Sequence, residues 1–403
     1  MKFGIIRERK NPPDRRVVLS PAECQNVLTH YPNAQIMVES SPIRAFSDDQ
    51  YRNLGLEVVD DLRSCDVLLG VKEVPIDFLI PDKSYFFFSH TIKKQPYNRN
   101  LLRAILDKNI VLYDHELITN PKGQRLVAFG RYAGIVGTYN GIRTYGLKFG
   151  LYDLPKAEGL KDRDALIVEL KKLKLPNIKI LLTGRGRVGQ GAKEMLDAMG
   201  LKKVGVPDYL NTTFSEPVYC QIDASDYNKR KDGSRGNKVD FFSNPQYYES
   251  NFLRFARHTD LYIAGHFYGE GAPYLYTRED VGRPDFNIKV VADISCDLEG
   301  PVATTLRAST IADPIYGYDP QTGSETDYMK KGAIAVMAVD NLPCELPLDA
   351  SRGFGEAFSK WVIPAFFNGD ADGILERARM THNGSLTPRY AHLQDYVDAK
   401  VKS

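Results

Sequence analysis

Apolar residues in this chain fall into short runs, and the stretches between them place apolar positions at helical spacing. In the first third, "KFGIIRE", "AQIMVESS", "CDVLLGVKEV", "KSYFFFSH" and "NIVLYDHE" read as strands. Between the first two, "SPAECQNVLTHYP" opens a helix, with Ser20 as cap, Pro21 at the first helical position and Glu23 in the opening turn. Such alternation predicts an α/β arrangement with a largely parallel sheet.

A second set of elements comes after these. "IKILLTG" reads as a strand, "VGQGAKEMLDAMG" as a helix ending at Gly200, and "LKKVGVPD" as the next strand. "TDLYIAGH" and "IKVVADIS" stop at small or acidic residues, as parallel strands do at the carboxyl edge that borders a binding crevice. The charged stretch "DYNKRKDGSRGNK" reads as a solvated excursion. "KKGAIAVMAVDNLPCELPLDASRGFGEAFSKWVIPAFF" reads as helical and as crossing back to the first domain. The expected architecture is two α/β domains with parallel sheets and a cleft between them. The first is discontinuous (residues 1–133 with 345–403), and the second spans 134–344.

Bulk properties narrow the classes. At 403 residues the chain exceeds one ordinary core and suits two domains of ~150 residues. Basic residues number 53 and acidic ones 51, so a net charge of +2 gives no reason to expect nucleic acid or an anionic membrane as partner. The opening "MKFGIIRERKNPPDRR" does not read as a signal peptide, and no apolar run nears the ~20 residues of a membrane span. Cys24, Cys65, Cys220, Cys296 and Cys344 are scattered, without a C-x-x-C pair, and read as reduced thiols of a cytoplasmic protein rather than a metal site.

In "GRGRVGQG", Gly184, Gly186 and Gly189 fit G-x-G-x-x-G, with a strand before and an amphipathic helix after. The first glycine permits the tight turn, the second lets backbone approach a pyrophosphate, and the third lets helix pack on strand. Helix N–H groups then face the phosphates. Gly184, Gly186, Arg187, Val188 and Gly189 are therefore candidate cofactor-binding residues for NAD or NADP. Asp208, at the end of the next expected strand, lies near the ~20-residue offset where an acid binds the ribose 2′-hydroxyl of NAD. Pro207 directly precedes it, and Arg185 and Arg187 in the turn suit a 2′-phosphate instead, so both cofactors stay open.

Two stretches ahead of the turn concentrate chemistry. "LLGVKEVP" places Lys72 and Glu73 after an apolar run, and "YFFFSHTIKKQ" places His90 after another, with Lys93 beyond it. Adjacent parallel strands end on one edge, which would set Lys72 beside His90. A lysine near cations or in an apolar setting exchanges protons nearer neutrality, and histidine does so unaided. The plainer alternatives are a solvated lysine and a hydrogen-bonded core histidine. Arg16 in "DRRVVLSP" and Arg125 in "GQRLVAFG", which follows the strand carrying Glu116, suit a substrate with several carboxylates; surface ion pairing is the alternative.

The stretches "DRRVVLSP", "GVKEVP", "FFFSHTIKKQ", "LYDHELI…GQRLVAFGRYAGIVG", "ADISCDLEGP" and "AVDNLPCELPLDASRGF", in this order, resemble the lysine-forming saccharopine dehydrogenases. They equally resemble the lysine–2-oxoglutarate reductase domain of aminoadipate semialdehyde synthase, and more distantly alanine dehydrogenase and the transhydrogenase α subunit. The resemblance implies two Rossmann-like domains, the first completed by the C-terminus. It implies that Lys72 and His90 match the acid–base pair, Arg16 and Arg125 substrate-side arginines, and Glu73 and Glu116 acids that modulate the pair. Asp297, in "ADISCD", matches a nicotinamide-side acid. Ending at Ser403, the chain is expected to lack the second enzyme of the bifunctional animal protein, and its Val206–Lys238 stretch departs from the yeast-type pattern.

The implied reaction is reversible oxidation of saccharopine at its secondary amine, hydrolysis of the resulting imine, and release of lysine and 2-oxoglutarate. His90 suits the water steps and Lys72 the amine. Two rivals stand beside it. One is another opine or amino-acid dehydrogenase, such as one acting on pyruvate and ammonia. The other is a nucleotide-binding sensor without turnover, against which the joint presence of Lys72, His90, Arg16 and Arg125 argues. The resemblance suggests a monomer or homodimer with small-molecule substrates as its partners.

Overall fold

Short, fully buried apolar runs pair edge to edge in two separate sheets, each within its own unit. The computed structural model describes residues 1–399 and divides them into Met1–Phe129 with the stretch from Pro347 onward, and Gly130–Leu346.

In the first unit the chain runs β1 (Lys2–Ile5), α1 (Pro21–His30), β2 (Gln35–Glu39), α2 (Asp48–Arg52), β3 (Glu57–Val59), β4 (Val67–Lys72), β5 (Ser84–Phe88), α3 (Arg99–Asp107) and β6 (Val111–Asp114). All neighbouring strands are parallel, in the order β3-β2-β1-β4-β5-β6. That order reverses direction between β1 and β4, and open α/β sheets bind ligands outside the carboxyl ends at such a point. Helix α1 starts as read: Ser20 and Glu23 close a capping box with Pro21 in the first turn, a device typically contributing ~1 kcal/mol. The three-residue β3 carries too short an apolar run to read from sequence.

The second unit runs α4 (Gly130–Phe149), α5 (Arg163–Lys171), β7 (Lys179–Thr183), α6 (Arg187–Ala198), β8 (Lys202–Lys203), α7 (Val206–Asn211), β9 (Val218–Ile222), α8 (Ala224–Tyr227) and β10 (Asn228–Arg230). It continues through α9 (Lys238–Ser243), β11 (Tyr248–Ser250), α10 (Leu253–Ala256), β12 (Leu261–Ala264), α11 (Arg278–Val281), β13 (Val290–Asp293), β14 (Ile315–Tyr318), β15 (Glu325–Thr326) and β16 (Ile334–Met337). The sheet order is β15-β14-β16-β13-β12-β7-β9-β8, parallel from β16 to β8, with β14 antiparallel to its neighbours.

Three stretches depart from the sequence reading. The run "LKKVGVPD" supplies only the exposed two-residue edge strand β8, because Gly205 caps and Pro207 starts helix α7. The strand beside β7 is β9, whose five residues are all buried. The stretch read as helical from Lys330 onward begins with strand β16, since a short apolar run does not distinguish strand from buried helix. The stretch read as a plain excursion contributes β10, which pairs antiparallel with β11.

After β16, α12 (Pro347–Trp361) returns to the first unit. Its Phe354 and Phe358 are fully buried with Val17, Val18, Phe86 and Val127. Phe354 stacks on Phe129 at 4.5 Å between ring centres, and the Val17 N–H donates to Ser351 Oγ at 2.9 Å. If α12 is integral to this core, Phe354→Ala should cost about 3–5 kcal/mol in urea unfolding. A loss below about 1 kcal/mol would mean the helix is an accessory layer.

Candidate functional site

Three adjacent strands of the first unit deliver the site residues to one edge. β4 ends at Lys72, β5 runs into Ser89 and His90, and β6 runs into His115 and Glu116. His90 adopts a left-handed backbone (φ +54°), a conformation costing ~1–3 kcal/mol outside glycine and found preferentially at functional sites. Its Nδ1 lies 3.5 Å from Glu116 Oε2, within ion-pair reach, without a hydrogen bond between the two atoms. The other Glu116 oxygen accepts from Arg125 Nη2 at 3.1 Å and lies 3.6 Å from Lys93 Nζ. Burial works against ionisation of Glu116, but His90, Lys93 and Arg125 outweigh it and hold the carboxyl down at about 2. Glu116 is thus a buried anion ringed by groups that carry or accept positive charge. Glu73, next to Lys72, pairs with Lys10.

A second charged knot lies at the switch point itself. Arg16 is buried and donates to Asp14 through Nε (3.0 Å) and Nη2 (2.6 Å), a bidentate pair that fixes the guanidinium plane. The guanidinium also rests 4.3 Å from the centre of the Phe129 ring. Burial opposes ionisation of Asp14, yet the Arg16 charge and hydrogen bonds, with Lys72 nearby, hold it at about 2. Glu8, buried just past β1, accepts from the N–H groups of Val71 (2.6 Å) and Lys72 (2.9 Å). Burial first, then the Asp14 charge, pushes Glu8 up to about 8.

In the second unit the glycine turn joins β7 to α6. Gly184 has φ +95°, and a Cβ there would meet the Gly265 oxygen at 2.3 Å; one on Gly189 would meet the Gly184 oxygen at 2.1 Å. Gly186, which caps α6, has nothing within 4 Å of a Cβ position. The first and third glycines are thus required by the turn, and the second leaves open space where a phosphate would approach. Gly184 and Gly186, with Arg187 and Val188, line a pocket of about 440 Å³ that also includes Asp223 and His266; Gly189 packs behind the turn. The cradle therefore fits a dinucleotide.

The acid beside this turn is Asp223, at the carboxyl end of β9, not Asp208. Asp208 lies inside α7, behind an edge strand one place removed from β7. Asp223 Oδ2 is 3.6 Å from Arg185 Nη1. Asp297 falls in the loop after β13, whose shape Asp293 sets by accepting from Ser295 N (3.1 Å), Cys296 N (3.1 Å) and Thr305 Oγ1 (2.6 Å).

The structure therefore brings His90, Glu116 and Arg125 into one cluster, ties Arg16 to Asp14 near Lys72, and gathers Gly184, Gly186, Arg187 and Val188 in one pocket, with Gly189 packed against the Gly184 backbone. Sequence reasoning missed Glu8, Asp14, His115, Asp223 and His266. Two of them carried a signal: Asp14 stands two residues before Arg16, and Asp223 directly follows the apolar run "VYCQI". His266 is buried, its Nδ1 3.0 Å from Thr183 Oγ1, and burial lowers it to about 4.

Fold and site together define a class: a two-unit α/β protein in which one unit carries a dinucleotide turn and the other a lysine–histidine strand edge. Residues 4–136 match the alanine dehydrogenase/PNT N-terminal domain. The chain is 28% identical over 435 residues to alpha-aminoadipic semialdehyde synthase of Arabidopsis thaliana, covering 97% of this chain and 41% of that protein. It is 23% identical to the NAD(+), L-lysine-forming saccharopine dehydrogenase of Yarrowia lipolytica, covering 87% and 89%. Among solved structures, an L-alanine dehydrogenase superposes with a TM-score of 0.65 at 17% identity, covering 98% of this chain and 99% of that one. The chain is thus similar over most of its length to saccharopine dehydrogenase and aminoadipic semialdehyde synthase proteins, the resemblance its ordered motifs carried. It spans less than half the length of the semialdehyde synthases it matches.

Because Glu116 is held ionised in the folded state, its contribution to stability is fully present above the ordinary value of 4.5 and is lost as pH falls toward about 2. Urea midpoints of wild type and Glu116→Gln should therefore differ at about pH 7 and converge at about pH 3. A gap independent of pH would mean that the charge of Glu116 is not what these partners stabilise.

Proposed function

We propose that this protein interconverts saccharopine with L-lysine and 2-oxoglutarate in an NAD(H)-linked reaction. The observation that carries the reading is the delivery of Lys72, His90 and Glu116 to one strand edge, in a chain that also holds a dinucleotide cradle. The names of the Yarrowia and Arabidopsis relatives support the substrate class.

A dinucleotide held along Gly184, Gly186, Arg187 and Val188, with Gly189 keeping the turn tight, would accept or return the hydride. The chain's own residues have three further tasks. Carboxylates of the substrate are assigned to Arg16, its plane fixed by Asp14, and to Arg125, beside Glu116. Lys72 takes the proton from the secondary amine in the oxidative direction and returns it in the other. His90, anchored at Nδ1 by ionised Glu116, uses Nε2 to deprotonate the water that adds to the imine and then assists collapse to amine and ketone. Glu73 tunes the charge beside Lys72, and Asp297 is assigned to the nicotinamide side. Asp223 is the acid placed to accept a ribose 2′-hydroxyl, which favours NAD over NADP.

Purified protein should oxidise NADH when given lysine plus 2-oxoglutarate, and not when given ammonia plus pyruvate. Rapid oxidation with only the second pair would move the protein to the alanine dehydrogenase type of reaction. Lys72→Met and His90→Gln should each lower turnover by ~10²–10⁴-fold; unchanged turnover in both would remove the assignment. Asp223→Ala should weaken NADH by about 10-fold or more while NADPH binding holds or improves. An equal loss for both cofactors would mean that Asp223 acts only on the turn's shape.

A further inference from the structure

Strand β4 does not run regularly to its end. Leu69 stands opposite Phe86 on β5, but Lys72 stands opposite Phe88, so three steps on β4 match two on β5. One extra residue is inserted, a β-bulge. Without it Val71 would face Phe88, and Lys72 would face Ser89, about 3.3 Å farther along. The bulge therefore decides where Lys72 stands relative to His90.

The backbone groups of the bulge are held by side chains rather than by strands. On the β1 side the ladder ends with Ile6 N–H donating to Leu69 O at 3.1 Å. Beyond that point the Glu8 carboxylate takes over as acceptor: the two oxygens receive Val71 N–H and Lys72 N–H, one each. From the β6 side, the buried His115 donates from Nε2 to the Gly70 oxygen at 2.8 Å. Three consecutive residues, Gly70, Val71 and Lys72, are thus gripped at carbonyl or N–H from outside the strand.

Neither side chain is cheap to bury. His115 sits among Phe86, Phe88, Phe354 and Phe358, with ring centres 5.0–6.1 Å away. Burial lowers it to about 4, so it is neutral, and among the described residues its Nδ1 has no hydrogen-bond partner. A phenylalanine would fill this cage without that cost, typically ~1–3 kcal/mol for an unpaired polar atom. The bond to Gly70 is what histidine alone supplies there. Glu8 is likewise buried, facing the Asp14 carboxylate as well as Arg16. Glutamine at this position would offer one oxygen to two N–H donors.

We propose that Glu8 and His115 are positioning residues that clamp the β4 bulge and so aim Lys72 at the reacting amine. The proposal rests on the acid–base reading of Lys72 above. A misplacement of about 1 Å at such a group costs on the order of 10²-fold in rate.

The test is a double-mutant cycle on the intact chain, using Glu8→Gln, His115→Phe and Lys72→Met with lysine, 2-oxoglutarate and NADH. Glu8→Gln and His115→Phe should each lower kcat by about 10-fold or more, with KM for NADH unchanged. In the Lys72→Met background neither should lower kcat further, because the group they aim is gone. His115→Phe keeps the cage filled and serves if Glu8→Gln does not fold. Equal losses of kcat in both backgrounds, or no loss in wild type, would overturn the clamp while leaving the role of Lys72 intact. Wild-type turnover in Lys72→Met alone would instead overturn the reading on which the clamp rests.

Discussion

Everything chemical in the first unit depends on the reversal of strand order between β1 and β4. A parallel sheet ends all its strands on one edge, and the reversal forces the connections after β1 and β4 to diverge there. Polar groups left at that edge must be satisfied by side chains. The loop from Ile6 to Ser20 supplies them: Glu8 for two N–H groups of β4, Asp14 for the Arg16 guanidinium. Charge is costly to bury singly, and Asp14 and Arg16 compensate one another within hydrogen-bond reach, as buried charge requires. The result is a set of groups with opposed proton affinities on one edge, Glu8 pushed up while Asp14 and Glu116 are held down. Such separation of perturbed groups in one place marks a candidate functional site.

Much of this was legible in the sequence where a single principle decided the matter. The strands β1, β2, β4, β5 and β6 announce themselves as apolar runs between polar stretches, and Ser20-Pro21 with Glu23 announces α1. The glycine turn was legible because its three glycines answer three distinct steric demands. The acid beside the glycine turn is not the one offset counting finds, because that counting assumes that the strand after the first helix lies beside the first strand. Here Gly205 and Pro207 reduce that strand to two exposed lysines, and the apolar "VYCQI" takes the inner place. The bulge in β4 leaves no mark in a one-dimensional pattern, since Val67, Leu69 and Val71 keep their alternation through it. Glu8 and His115 acquire their partners only when three strands come together, so no local signal reveals them.

The two units show how far one sheet topology can carry different chemistry. Both place an acid at the carboxyl end of a strand lying beside the unit's first strand: Glu39 on β2 beside β1, Asp223 on β9 beside β7. In the second unit the glycines leave space beside Asp223, and a pocket opens there. In the first unit no glycine turn succeeds β1. Arg7 N–H donates to Glu39 at 2.8 Å, and Arg9 Nη1 donates to the same carboxylate at 3.0 Å while its guanidinium lies over Phe78. There the Glu39 carboxylate is taken up by the Arg7 backbone and the Arg9 guanidinium instead of bordering open space. Topology alone therefore assigns neither unit its task. The residues just past each unit's first strand set the difference: glycines that withdraw side chains and leave open space at the edge, or charged residues that occupy it.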